Sequence, residues 1–230
     1  MVVVRMEHTA RTYEQELTRL RQALLLMAGR VEDMIARAGQ ALVERDSDMA
    51  RKTIELDRAV NRAEVEIDEM GLLILAKRQP MASDLRFVTL VMKMVTDLER
   101  IADLAVNICE RAIDLGNEEP VVVHPDIPRM TEVVQTMVKD AIDALVSASS
   151  DKAWDVIKRD DVVDELYQRV FSELLAEMRA HPERMHSLIH VQSVAKWLER
   201  MGDHSTNLAE LVIFMIDGRD VRHPGKRAVL

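Results

Sequence analysis

From about Thr9 to Glu44 the apolar residues Leu17, Leu20, Leu24, Met27, Val31, Met34, Ala38 and Ala41 step by three and four. That spacing keeps them on one narrow seam and predicts a helix packed as in a bundle. A polar break, ERDSD, follows and offers Ser47 or Asp48 as an N-cap. The rhythm resumes at Leu56, Val60, Ala63, Ile67, Met70 and Ile74, which predicts a second long helix to about Arg78. Pro80 then holds the preceding residue extended, and Ser83 or Asp84 can cap what comes next. The third seam is Val88, Val91, Val95, Leu98, Ala102, Ala105 and Cys109, and its helix stops near Leu115 and Gly116. Three helices on short connections form an antiparallel three-helix bundle.

The segment NEEPVVVHPDIP reads as the one connection between domains; Val121 to Val123 could form a short strand, but an isolated strand has no partner. Beyond it the pattern starts over, with helical spacing from Val133 to Val146, from Trp154 to about Ala180 and, after a break at His181 and Pro182, from about Glu183 to Asp217. The last helix of each half also carries the same phrase. LERIADLAVNICE, starting at Leu98, returns as LERMGDHSTNLAE, starting at Leu198. Over Val95 to Ile113 against Ala195 to Ile213, 7 of 19 positions agree without a gap, so internal duplication is the economical account. The expectation is an all-α protein made of two tandem antiparallel three-helix bundles, residues 1–119 and 120–217, with a loose tail at 218–230.

Composition sharpens that picture. A chain that is 48% hydrophobic but 3% aromatic, with few Gly and Pro and 15 Met, suits long helices and not sheets. A net charge of −9 argues against a broad affinity for nucleic acid or an anionic membrane. The single cysteine, Cys109, excludes an internal disulfide framework and suits a reducing compartment. No apolar run reaches the length of a membrane span, and MVVVRMEHTA does not read as a signal peptide. A cytoplasmic location is therefore expected.

The repeated phrase is also where chemistry is expected. Residues four apart share a helix stripe, so Glu99, Asp103 and Asn107 project together, as do Glu199, Asp203 and Asn207. Like charges at that spacing repel unless a cation compensates them. The plain compensator is an Arg or Lys from a neighbouring helix; Arg100 and Arg200 lie about 100° round the helix and should not serve directly. The chemical alternative is a hard metal ion, since carboxylate and amide oxygens suit Mg²⁺, Ca²⁺, Mn²⁺ or iron. One helix supplies too few oxygens, so the second helix of each bundle should add Asp160 and Asp164, with Asp161 and Glu165 as the alternative register, and Asp57 with Asn61 in the first half.

Other candidates are weaker. Glu183-x-x-His186 has the spacing used by di-iron carboxylate bundles, but it occurs once, so a di-iron oxidase is not expected. His204 as a phosphoacceptor is matched in the other half by Leu104. Phosphate loops, zinc-protease motifs and hydrolase triads are absent, so no enzyme is expected. Trp154 and Trp197 are expected in the core.

ELTRLRQALLLMAGRVEDMI, QPMASDLR, DLERIADLAVNI and WLERMGDHSTNLAE together resemble the PhoU family, from about Tyr13 to Asp217. The resemblance implies two similar three-helix bundles side by side and a non-enzymatic negative regulator of phosphate uptake. Such a protein acts between the nucleotide-binding subunit of an ABC phosphate transporter and a sensor histidine kinase of the phosphate-starvation response. The resemblance also implies iron or zinc, bound in multinuclear form through Glu/Asp-x-x-x-Asp pairs, carried here by Glu99 with Asp103, Asp160 with Asp164 and Glu199 with Asp203. Asp57 with Asn61 departs from that motif, because Asn is a neutral, weaker ligand, so the second bundle is the stronger expectation. Homodimers are among the assemblies it implies. A metal-binding helical scaffold without a phosphate role is the alternative.

Overall fold

The computed structural model describes residues 2–116 and 122–221, with side chains from residue 12 onward. Six helices account for nearly all of it: α1 (Val2–Glu44), α2 (Ser47–Arg78), α3 (Ala82–Gly116), α4 (Asp126–Ser147), α5 (Ser150–Ala180) and α6 (Met185–Asp217). One turn of 3₁₀ helix, Pro182–Arg184, joins the last two. The break expected at His181 and Pro182 lies here, where proline starts a new turn. Val122 and Val123 have no regular structure, and Val121, the 119/120 boundary and tail residues 222–230 lie outside the described residues.

The caps differ in detail from the sequence expectation. Asp46, and not Ser47 or Asp48, caps α2 by accepting from the N–H groups of Asp48 and Met49. Ser149 caps α5 by accepting from Lys152. Helix α4 begins at Asp126, earlier than the first apolar seam residue, with the buried His124 just before it. His124 Nδ1 accepts from the Asp126 N–H, so Nε2 carries the proton and donates to Glu173 on α5 at 2.9 Å.

Two helices are central. Helix α3 packs on α1, α2 and α6, while α6 packs on α4, α5 and α3; α1 also packs on α4. The outer helices α2 and α5 each touch only two long helices, and their burial shows it. On α2 the buried residues, Ala50, Thr53, Val60, Ile67, Gly71 and Ile74, keep to one narrow stripe, whereas α3 buries a much broader face and leaves only a strip such as Lys93, Thr96, Arg100 and Glu110 exposed. Leu20, Leu24, Met27, Met94, Leu98, Met130, Met137 and Met201 fill one core that runs continuously through both halves. At about 25 cal/mol per Å² of buried apolar surface, that continuous core is the main stabilising term. Trp197 packs against it as expected; Trp154 does not, and is 39% exposed, because it follows the seam residue Ala153 and so points off the buried stripe.

The halves meet through α3 and α6, which run antiparallel. Asp97 Oδ1 accepts from His204 Nδ1 at 2.8 Å and from the Asn207 amide at 3.3 Å, and fourteen residues further along α3 Arg111 lies 3.4 Å from His190. As the number rises on α3 it falls on α6. On the α1/α4 side the backbones come so close that a Cβ on Gly39 would stand 2.5 Å from the Thr131 methyl.

Candidate functional site: two acidic clefts

The antiparallel packing within each bundle turns one stripe of α2 toward one stripe of α3, and one of α5 toward one of α6. The second of these clefts brings together all four acids expected there. Burial raises the pKa of Asp160 to about 6, with the charges of Asp203 and Asp164 adding to it. Burial likewise raises Asp164, with Glu199 next, and Asp203, with Glu199 and Asp164 adding to the effect. These groups sense one another because the low-dielectric shoulder of the bundle screens their charges poorly. Asp161 and Glu165, the alternative register, are exposed, as Asp164 and Asp203 are, and the charge of Asp161 adds to the raising of Asp160 and Asp164.

The close approach of α5 and α6 depends on Gly202. A Cβ at that position would lie 2.9 Å from Asp160 Oδ1 and 3.4 Å from a Val163 methyl. Asp160 therefore occupies space that a side chain on α6 would otherwise fill.

The first cleft is built from the same helices one repeat earlier. Glu99 is raised by burial and then by Asp103, and it also feels Glu64; Asp57 is raised by burial and then by Asp103. Asn61 is exposed and turns its amide to Asp57, donating to Oδ2 at 2.8 Å. The other oxygen, Asp57 Oδ1, is buried and has no partner among the described residues, and the same holds for Asp68 Oδ1. Glu64 and Asp68 were not foreseen from the sequence. With Asp57 and Asn61 they fall at intervals of four, three and four, the period of one helix face, so the signal was present.

Basic side chains enter both clefts. In the second, Lys196 Nζ lies 2.6 and 2.5 Å from the two oxygens of Glu199, and this contact raises the Lys196 pKa. In the first, Arg100 reaches Glu99 and Asp103, each at 3.5 Å. That corrects the expectation that Arg100 is too far round the helix: its long side chain folds back along the surface to both acids. Among the described residues no group of three or more His, Cys, Asp or Glu side chains is already drawn round one point to hold an ion.

His204 is engaged with Asp97 across the interface between halves, next in sequence to the cleft residue Asp203. His186 stacks edge-on against His190, with ring centroids 4.7 Å apart. No described helix is long and apolar enough to cross a membrane.

The chain matches the PhoU domain twice, over residues 24–112 and 127–212. It is 39% identical over 219 residues to the phosphate-specific transport system accessory protein PhoU homolog of Pseudomonas putida, covering 95% of this chain and 86% of that one. It is 32% identical to the phosphate-specific transport system accessory protein PhoU of Escherichia coli, covering 95% and 91%. The crystal structure of PhoU from Pseudomonas aeruginosa superposes with a TM-score of 0.86 at 38% identity, covering 90% of this chain and 100% of that one. The phosphate transport system regulatory protein PhoU of Streptococcus pneumoniae superposes with a TM-score of 0.85 at 26% identity, covering 91% and 99%.

Proposed function

The chain belongs to the PhoU domain family, which matches it twice, and on that footing we propose that it is an accessory protein of a phosphate-specific transport system, acting as a negative regulator. The observation that carries this reading is the near full-length likeness to relatives that bear that name. In this reading the protein works in the cytoplasm and has no catalytic step. It docks on the nucleotide-binding subunit of an ABC phosphate transporter and on a sensor histidine kinase, restraining uptake and starvation signalling when phosphate is plentiful.

Exposed apolar side chains support a docking role. Leu72, Leu73, Met81 and Leu85 cluster in sequence about the α2–α3 turn, and Phe171, Leu175, Met185 and Ile189 about the equivalent α5–α6 turn. Apolar surface of this kind, set at the same end of each bundle, suits protein contacts. Deleting the gene is expected to switch on phosphate-scavenging genes in high phosphate. Unchanged repression together with unchanged uptake would refute the proposal.

Metal binding in the clefts is the second part of the reading. What supports a cation in the first cleft is its donor set, hard oxygens from Asp57, Glu99, Asp103 and Glu64, with a buried Asp57 oxygen that has no partner among the described residues; these side chains would have to draw in round the ion. Iron or zinc bound there would offset the repulsion among these carboxylates and tie α2 to α3. Elemental analysis of protein purified without chelator or affinity metal, beside Asp103→Ala, tests it; equal metal in both proteins counts against it.

A further inference from the structure

The two clefts differ in their own cations. Helix α6 repeats α3 at an interval of 100 residues, and α5 repeats α2 at 103, the interval between the caps Asp46 and Ser149. On that register Lys196 stands where the first half has Thr96, Tyr167 where it has Glu64, and Asp164 where it has Asn61. Asp68 lies on the same face as Glu64, where the second half has Phe171, so the first cleft holds five carboxylates against four, each with one basic side chain. The two cations differ further in their placement.

Lys196 Nζ touches both oxygens of Glu199, whose side chain is only 14% exposed, and lies 5.2 Å from the centroid of the Tyr167 ring. A two-point charge-assisted contact backed by an aromatic face holds an ammonium well. Arg100 is looser: it is 57% exposed and stands 3.5 Å from one oxygen each of Glu99 and Asp103. Beside it Asp57 keeps one buried oxygen without a partner among the described residues, since Asn61 satisfies only the other.

We propose that Lys196 is the resident cation of the second cleft, filling there the role a divalent ion would fill, so that the first cleft alone takes up metal. The inference rests on the metal reading above and runs opposite to what Asn61 alone suggests. A metal entering the second cleft must strip Glu199 of its ammonium and then sit beside that displaced positive charge. In the first cleft it meets a guanidinium that water already solvates.

The test uses the full chain, stripped with chelator and titrated with Mn²⁺ and separately with Zn²⁺, followed by calorimetry and thermal unfolding. Wild type is expected to show uptake that Asp103→Asn abolishes and Asp203→Asn leaves unchanged. Lys196→Thr, which installs the residue of the first half, is expected to melt lower without metal and to gain a second uptake step that restores its melting temperature. Lys196→Gln, which keeps the side-chain length, should gain the same step. Lys196 is 44% exposed, so neither change disturbs the core. Uptake by wild type that Asp203→Asn diminishes overturns the inference alone. Failure of both Lys196 variants to gain a step overturns it too, and if wild type also takes up nothing, the metal reading falls with it.

Discussion

Gly202 faces Asp160 with room for a hydrogen and no more: a Cβ there would stand 2.9 Å from the Asp160 carboxylate. Gly202→Ala is therefore expected to push α5 and α6 apart or force Asp160 out, at a cost of about 1–3 kcal/mol. Gly29, which has nothing within 4 Å of a built Cβ, supplies the contrast. Gly29→Ala gains helix propensity and should stabilise by up to about 1 kcal/mol. Urea unfolding of both variants reads the two opposite signs.

Asp160 also governs a pH dependence. Its folded pKa, about 6, lies above the ordinary 3.8. The folded state therefore holds this proton more tightly than the unfolded one, and stability present below pH 3.8 is lost as pH rises through about 6. Asp160→Asn removes the ionised form and should stabilise the chelator-treated protein at pH 7.5 by about 1–2 kcal/mol, a value reduced from the full shift because the cleft stays open to water on one side. Melting curves should converge below about pH 4, where both states of the wild-type carboxyl are protonated.

His204 ties the halves together. His204→Leu, the residue of the first half, leaves Asp97 with only the Asn207 amide and should cost about 1–2 kcal/mol. Asp97→Ala should then cost less in the His204→Leu background than in wild type, a coupling of about 1 kcal/mol. Simple addition of the two effects would show that the contact contributes nothing.

The link between α4 and α5 carries a backbone cost. Ala148 sits in the left-handed region at φ 47, where a Cβ is crowded, while Gly218 ends α6 at φ 68. Ala148→Gly is expected to stabilise by about 0.5–1 kcal/mol and Gly218→Ala to destabilise by about 1 kcal/mol, both read from denaturant midpoints.

Most of the fold was legible because bundle helices bury a seam at three- and four-residue steps, and the seam marked each long helix. Helix starts were less so: Asp46 precedes the residues proposed as caps, since a capping side chain reaches forward two or three positions. Within the clefts, Glu99, Asp103, Asp160, Glu199 and Asp203 could be named because the repeat displays an acid there twice, and Asp164 because it stands four residues from Asp160 on the same stripe. Glu64 and Lys196 were passed over, as each occurs in one half only and a search for what the halves share misses what they do not, although the period of one helix face already marked Glu64. Asp97 and His204 escaped for the same reason, being matched by Trp197 and Leu104.

That mismatch bears on how such a chain arises. Two separate copies of a single three-helix repeat, meeting through their last helices run antiparallel, would form a symmetric dimer in which any contact made at one end recurs at the other. Here the two ends differ: Asp97 and His204 meet at one, and the register places Leu104 and Trp197 at the other. Identical subunits cannot hold a polar pair at one end and an apolar pair at the other. Joining the copies into one polypeptide freed each half to change alone, and a polar pair held at one end only could arise only after that fusion.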